Sequence, residues 1–151
     1  MIRDDLKAAL TAAMKGGDKP RTAAIRLIQS AIKNRDIELR SSGGPPTDDD
    51  ALVVEVLQKM VKQRRESITL YEQGGRQELA DAEKAEVAVI EGFLPRQMSE
   101  DEARAAIDAI VTETGASSVK DMGRVMAALK ERHASELDMS KASALVKARL
   151  S

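Results

Sequence analysis

The chain has 151 residues, with 24 lysines and arginines against 25 aspartates and glutamates, and a formal net charge of −1. This length allows one domain or two small ones, and a pI near 5.9 lacks the basic excess of a dedicated nucleic-acid binder. The absence of cysteine excludes disulfides, thiolate metal sites and a cysteine nucleophile. Because aromatic residues make up 1% of the chain, stacking platforms for single-stranded nucleic acid are not expected.

The composition also predicts the fold class and a location. Alanine, leucine, glutamate, lysine and arginine are abundant, and alternating runs of β-branched or aromatic residues are missing, which indicates an all-α protein. The first ten residues carry charges where a signal peptide needs an apolar run, and no segment reaches the roughly 18 apolar residues of a membrane span. We therefore predict a cytoplasmic protein without a membrane partner.

Four helices are predicted in the first part of the chain, including two long ones expected to pack as antiparallel pairs. The first stops at Gly16 and Gly17, and Asp18 caps the second, which runs to about residue 40. Two glycines and two prolines then break the pattern, and Thr47 with three following aspartates predicts the cap of a third helix over 48–73. A fourth follows over 76–91. The predicted apolar faces contain Ile2, Leu6, Leu10, Met14; Ile25, Ile28, Ile32, Leu39; Val53, Leu57, Met60, Val61, Ile68, Tyr71; and Leu79, Ala82, Val89, Ile90.

A second, three-helix unit is predicted after Gly92 and Pro95 interrupt the fourth helix, which gives domains over 1–96 and 97–151. Ser99 and Glu102 have the spacing of a capping box, and Gly115 follows the end of the helix that they begin. Ser118 with Asp121 begins the next helix, and a last one follows an irregular stretch over 133–138. The inward residues are predicted to be Ile107, Ile110, Val111; Met122, Val125, Met126, Leu129; and Ala142, Leu145, Val146.

The strongest candidate binding feature is a line of cations on the second helix. Lys19, Arg26, Lys33 and Arg40 recur every seven residues, and seven residues return an α-helix to within about 20° of its starting direction. Between residues 19 and 40, six cations stand against two anions in an otherwise balanced chain. Such a line is suited to following a phosphate backbone, although a solvated helix face has the same appearance.

A second basic cluster on the third helix consists of Lys59, Lys62, Arg64 and Arg65. Three of these are expected to face solvent, and Arg64 falls in the middle of the apolar face. An inward arginine needs a partner. If the third and fourth helices form an antiparallel hairpin, Glu83 or Glu86 can supply a carboxylate, which predicts a structural ion pair. The alternative is a polar pocket in which the two carboxylates perform acid–base chemistry.

No catalytic, metal or cofactor site is predicted. His133 is the only histidine, so a histidine-based metal site or a Ser-His-Asp triad cannot be assembled. The serines lack a G-x-S-x-G motif, and Gly43 and Gly44 belong to no phosphate-binding loop.

Three stretches of the chain carry a recognisable family pattern, namely KQRRESITLYEQGGRQELADAEKAEVAVIEGFLPRQMSEDE, GASSVKDMGRVMAALK and ALVKARL. The pattern resembles the GatB/YqeY family, free-standing relatives of the helical tail domain of the B subunit of glutamine-dependent aspartyl/glutamyl-tRNA amidotransferase. The similarity runs from Asp4 to the C-terminus. The matching positions are Lys62, Gln63, Arg64, Ser67, Gly75, Arg76, Glu83, Glu86, Leu94, Pro95, Gly115, Ala116, Asp121, Met122, Gly123, Val125 and Met126.

The resemblance implies an all-α fold of two subdomains, and a C-terminal unit similar to a domain that clamps tRNA. It carries the name of a carbon–nitrogen ligase with glutamine as amido-N-donor, without the catalytic parts that reside in other domains and subunits. Many relatives have a basic, glycine-containing turn where this chain reads Ala-Ser-Glu-Leu-Asp over 134–138, so that contact is not expected here. The remaining candidate phosphate ligands of this unit are Lys120, Arg124, Lys141, Lys147 and Arg149.

Three functions therefore stay open from the sequence. The first is a tRNA-binding accessory module, linked to a glutamine-dependent tRNA amidotransferase, that recognises the shape and backbone of structured RNA without base stacking. The second is an α-helical protein–protein adaptor with an apolar, methionine-containing groove. The third is an enzyme of the amidotransferase type, which the missing nucleophile and histidines disfavour for the isolated chain.

Overall fold

A computed structural model describes residues 1–44 and 48–151, which form seven α-helices and one short 3-10 turn, with no strand in these residues. The predicted all-α class is confirmed. The chain divides into two compact units, Met1–Leu94 and Pro95–Ser151. The division falls close to the boundary predicted after residue 96.

The N-terminal unit contains α1 (Ile2–Lys15), α2 (Lys19–Ser41), α3 (Asp49–Gln73) and α4 (Gln77–Glu91). Local sequence signals set these boundaries. The side chain of Asp18 accepts a hydrogen bond from the backbone N–H of Arg21, and Asp48 accepts one from Ala51, so both aspartates cap helices as their residue type favours. The cap role predicted for Thr47 lies outside the described residues.

Two apolar clusters hold the N-terminal unit together. The larger joins all four helices and contains Leu6, Ile25, Ile28, Leu57 and Ile90, each at most 1% exposed. The smaller consists of the buried residues Ile68, Ala80 and Val87 on α3 and α4. The predicted residues Ile25, Ile28, Ile32, Val53, Leu57, Met60 and Ile68 are buried, whereas Leu39, Val61 and Tyr71 are only partly buried. The structure also buries Leu52, Val54 and Val56, which the sequence pattern did not indicate.

Two apolar faces differ from the prediction. Met14 is 55% exposed and Ala13 is buried instead, because residues four apart advance 400° around a helix and drift about 40° at each step. On α4, Ala80 and Val87 are buried, whereas Leu79 is 39% exposed and Ala82 is also exposed. This alanine-rich helix offers two overlapping faces, and packing against α3 selects the one that carries Glu86 toward Arg64.

The C-terminal unit contains α5 (Glu100–Thr114), a 3-10 turn (Val119–Asp121), α6 (Met122–His133) and α7 (Met139–Leu150). The predicted capping box forms: Ser99 Oγ accepts from the N–H of Glu102, and a Glu102 carboxylate oxygen accepts from the N–H of Ser99. Gly115 ends α5 with φ of 69°, a left-handed conformation that glycine adopts without steric cost. The core of this unit is aliphatic and contains Ile107, Ile110, Val125, Leu129, Ala142 and Val146. None of the described helices combines the length and apolarity that crossing a membrane requires.

Candidate nucleic-acid interface

The basic line of α2, defined by Lys19, Arg26, Lys33 and Arg40, is exposed along its whole length. With a rise of 1.5 Å per residue, neighbouring members are about 10 Å apart along the axis and the line is roughly 30 Å long. None of the four forms a salt bridge within residues 1–44 and 48–151. Arg26 makes one weak contact, from its guanidinium to the sulfur of Met14 at 3.9 Å.

The two acidic residues of α2 are neutralised by arginines outside this line. Glu38 accepts from Arg35 at 3.1 Å, and Arg35 also reaches Glu55 of α3 at 3.7 Å. Asp36 is held by Arg3 of α1 through two hydrogen bonds of 2.9 and 3.0 Å. Both carboxylates within α2 therefore already have cationic partners.

Arg3 is the electrostatic junction of the N-terminal unit. Its Nε donates to both carboxylate oxygens of Asp49 at 2.8 and 2.9 Å, while its terminal nitrogens bind Asp36, so one guanidinium joins α1, α2 and α3. These hydrogen bonds from Arg3, with a smaller effect of the Arg40 charge, hold the pKa of Asp36 below its ordinary value. Arg3 is not among the predicted site residues, and Asp49 was expected only as one of the three aspartates at the start of the third helix.

Arg64 and Glu86 meet between α3 and α4, where Arg64 Nε donates to Glu86 Oε2 at 2.8 Å. The Arg64 side chain is 17% exposed and that of Glu86 is 34% exposed. Glu83 lies one turn away, and its Oε2 is buried without a hydrogen-bond partner among the described residues. The geometry is that of an interhelical ion pair between Arg64 and Glu86, with Glu83 beside it.

The other predicted cations of the N-terminal unit already interact within the protein. Arg65 forms a salt bridge with Glu91. Lys62 is exposed and also has an interaction partner.

The candidate cations of the C-terminal unit fall into two groups. Arg124 binds Asp121 at 2.8 Å and Arg149 binds Asp108 at 2.7 Å, so both are engaged in salt bridges. Lys120, Lys141 and Lys147 are exposed and have no salt bridge in the part of the chain that the structure describes. The lysines are therefore the charges that this unit leaves available.

The turn over 134–138, where relatives are expected to be basic, is packed into the unit. The backbone N–H of Met98 donates to the carbonyl of Glu136 at 2.7 Å, and Leu137 is 5% exposed. His133 lies beside the turn, with Nδ1 at 3.4 Å from a carboxylate oxygen of Glu136. In residues 1–44 and 48–151, no group of three or more His, Cys, Asp or Glu side chains is arranged to hold a metal ion.

The fold and the cations define an α-helical protein of two units whose candidate site is an exposed basic helix face. A family model described as Yqey-like protein matches residues 3–150. The chain therefore belongs to the YqeY family, as its sequence motifs predicted.

Several curated relatives share one name, "Altered inheritance of mitochondria protein 41, mitochondrial". The chain is 31% identical over 134 residues to the one from Pyrenophora tritici-repentis, covering 84% of this chain and 70% of the relative. It is 35% identical over 89 residues to the one from Eremothecium gossypii, covering 59% and 46%. With the one from Saccharomyces cerevisiae, identity is 27% over 126 residues, covering 80% and 64%.

These relatives contradict the predicted cytoplasmic location, because their names describe mitochondrial proteins. The prediction was wrong because it rested on composition and on the charged residues at positions 1–10, and neither of these reports the compartment of a protein. The chain spans about half to two thirds of the length of these relatives.

Proposed function

We propose that this protein is a binding module for tRNA or another structured RNA and that it contacts the phosphate backbone. The observation that carries the proposal is the basic line of α2, four exposed cations over roughly 30 Å without salt bridges in the described residues. Phosphate contacts of this kind position RNA without reading bases, which suits a chain that is 1% aromatic. The exposed lysines of the C-terminal unit, Lys120, Lys141 and Lys147, supply further contacts from that unit.

The test is fluorescence anisotropy of labelled tRNA with the full chain, from low to physiological salt, beside an unstructured RNA of equal length. We expect saturable binding that prefers tRNA and weakens with salt. Each lost phosphate contact reduces the slope of log K against log salt by about 0.7–0.9, so Lys19→Ala with Arg40→Ala reduces it by about 1.5. Lys84→Ala is the matched control, since Lys84 is bound to Glu72. Equal, feeble binding of both RNAs refutes the proposal.

We further propose, from the resemblance to the B-subunit tail domain, that the RNA is a tRNA substrate of a glutamine-dependent amidotransferase. In this role the chain presents RNA and performs no chemistry itself. The measurement is the KM of a purified amidotransferase for tRNA with and without the chain. A lower KM at unchanged kcat supports the link, and no change in either constant excludes it.

A protein–protein adaptor is the second candidate function, and one observation favours it. Leu70, near the end of α3, is 67% exposed, and Leu79, near the start of α4, is 39% exposed. Exposed apolar side chains on neighbouring helix ends are suited to a partner helix. If the chain does not bind RNA but binds a partner protein, and Leu70→Ser loses that partner, the adaptor function is favoured over RNA binding.

A further inference from the structure

A groove between α1 and α2 brings two lysines face to face. The two helices form an antiparallel hairpin around Gly17, and the contacts of Arg3 with Asp36 and of Arg26 with Met14 show their register. In that register Lys7 lies opposite Lys33. Both line one cavity of about 250 Å³, together with Arg3, Leu6, Gln29, Ile32 and Asp36.

The side chains that line this groove carry an excess of positive charge. Its one lining carboxylate, Asp36, has both oxygens occupied by Arg3, at 2.9 and 3.0 Å. Neither Lys7 nor Lys33 has a carboxylate within salt-bridge distance in the described residues. Two ammonium groups that share a groove repel each other, and an anion placed between them removes that repulsion.

The walls favour a small, multiply charged anion. Leu6 is 1% exposed and Ile32 is 4% exposed, so the floor is apolar and strengthens the electrostatic attraction above it. Gln29 adds a neutral side-chain amide that donates hydrogen bonds. A volume of about 250 Å³ lies below the roughly 300–1,000 Å³ of pockets that enclose drug-sized ligands, which suits a single phosphate group.

We propose that this groove is a phosphate-binding site, in which Lys7 and Lys33 donate to the phosphate oxygens from opposite sides and Gln29 adds a third donor. Lysine binds phosphate as a point charge from a flexible stem, so two lysines on facing helices can close on one group. The phosphate belongs either to an RNA backbone, in which case the site rests on the proposed function, or to a free phosphorylated compound. In the RNA case the site fixes one phosphate at the middle of the basic line.

The direct test is an NMR titration of the 15N-labelled full chain with inorganic phosphate and pyrophosphate at constant ionic strength. We expect saturable shifts centred on Lys7, Gln29 and Lys33. Losing one charge-assisted hydrogen bond weakens binding about tenfold, which we expect for Lys7→Ala and for Lys33→Ala. The control is Lys15→Ala, an exposed lysine of α1 outside the groove. Unsaturable shifts spread over all exposed lysines, or equal binding by Lys7→Ala and Lys15→Ala, overturn the site.

A second arm with labelled tRNA distinguishes the two sources of phosphate. Weaker tRNA binding in Lys7→Ala, with a salt slope reduced by about 0.7–0.9, assigns the site to the RNA backbone. Saturable phosphate binding without tRNA binding keeps the site for a free phosphate compound and refutes the proposed function. If the chain shows no saturable phosphate binding and Lys7→Ala binds tRNA as tightly as the wild type, the groove is not a phosphate site and the proposed function stands. Thermal melts of each variant confirm that it is folded.

Discussion

Replacing Arg3 by methionine removes the junction that joins α1, α2 and α3. Arg3 makes four hydrogen bonds of 2.8–3.0 Å to Asp36 and Asp49. All three side chains are about one third exposed, between 28% and 33%. The substitution keeps an unbranched apolar stem while deleting the charge, and it leaves two carboxylates near each other without their cation.

The expected cost follows from this intermediate exposure. Exposed ion pairs contribute about 0.2–1 kcal/mol, and breaking a fully buried pair costs about 3–5 kcal/mol. A bidentate pair with Asp36 and a bifurcated hydrogen bond from Nε to Asp49, at one third exposure, therefore contribute about 2 kcal/mol together, discounted for solvent screening. For a unit of this size, that corresponds to a decrease of about 8–16 °C in Tm. The control is Lys84→Met, which breaks an exposed pair with Glu72 and is expected to cost at most about 0.5 kcal/mol.

The assay is urea unfolding at pH 7 followed by circular dichroism, with a double-mutant cycle that adds Asp36→Asn. We expect a coupling free energy of about 1 kcal/mol between Arg3 and Asp36, because each single variant removes the same pair. High salt reduces the difference between wild type and Arg3→Met only in part, since the pair is partly shielded. If Arg3→Met unfolds at the same urea concentration as Lys84→Met, Arg3 is not a stabilising junction.

Three further outcomes are expected. Glu86→Ala lowers the free energy of unfolding by about 1–3 kcal/mol because it leaves Arg64 without its carboxylate, whereas Arg64→Met lowers it less. If thermal melts show the reverse order, Arg64 and Glu86 are not a structural pair. Arg3 lowers the folded-state pKa of Asp36, so the stabilisation from the ionised Asp36 is fully present above its unfolded-state pKa and is lost as pH falls through its folded-state pKa. The urea midpoint of Asp36→Asn should therefore depend less on pH in the acid range than that of the wild type. Gly115→Ala lowers the free energy of unfolding of the C-terminal unit by about 1–2 kcal/mol, because alanine is strained at a φ of 69°. A thermal melt identical to that of the wild type excludes such strain.

Helix boundaries were predictable because their causes are local. Asp18 caps α2, Ser99 and Glu102 form the box that begins α5, and Gly115 ends that helix, all within a few residues of the signals in the sequence. The face of α4 was not predictable in the same way. Its alanines supply no strong apolar contrast, so contacts with α3 decide that Ala80 rather than Leu79 is buried.

The candidate site was predictable to a different extent at each residue. Exposure of the α2 line followed from a seven-residue repeat, and the partnership of Arg64 with Glu86 followed from a hairpin with a short glycine turn. The pairing of Arg124 with Asp121 at i, i+3 spacing had a local signal that was not used. The junction at Arg3 had none, because its partners lie 33 and 46 residues away and meet only after three helices pack.

Although the net charge is near zero, the arginines and the lysines of this protein have different roles. Most salt bridges in the described residues are made by arginines, whose planar guanidinium matches a carboxylate on two sides, as at Arg3. These pairs neutralise carboxylates on and between helices, while lysines such as Lys7, Lys33 and Lys141 stay exposed without such partners. Because each pair removes a cation and a carboxylate together, pairing leaves the net charge nearly unchanged, and the lysines supply a local excess of positive charge such as that along α2. For this reason the pI argues only weakly against phosphate binding, and the lysines, more than the arginines, are the positions at which a salt-dependent interaction should be sought.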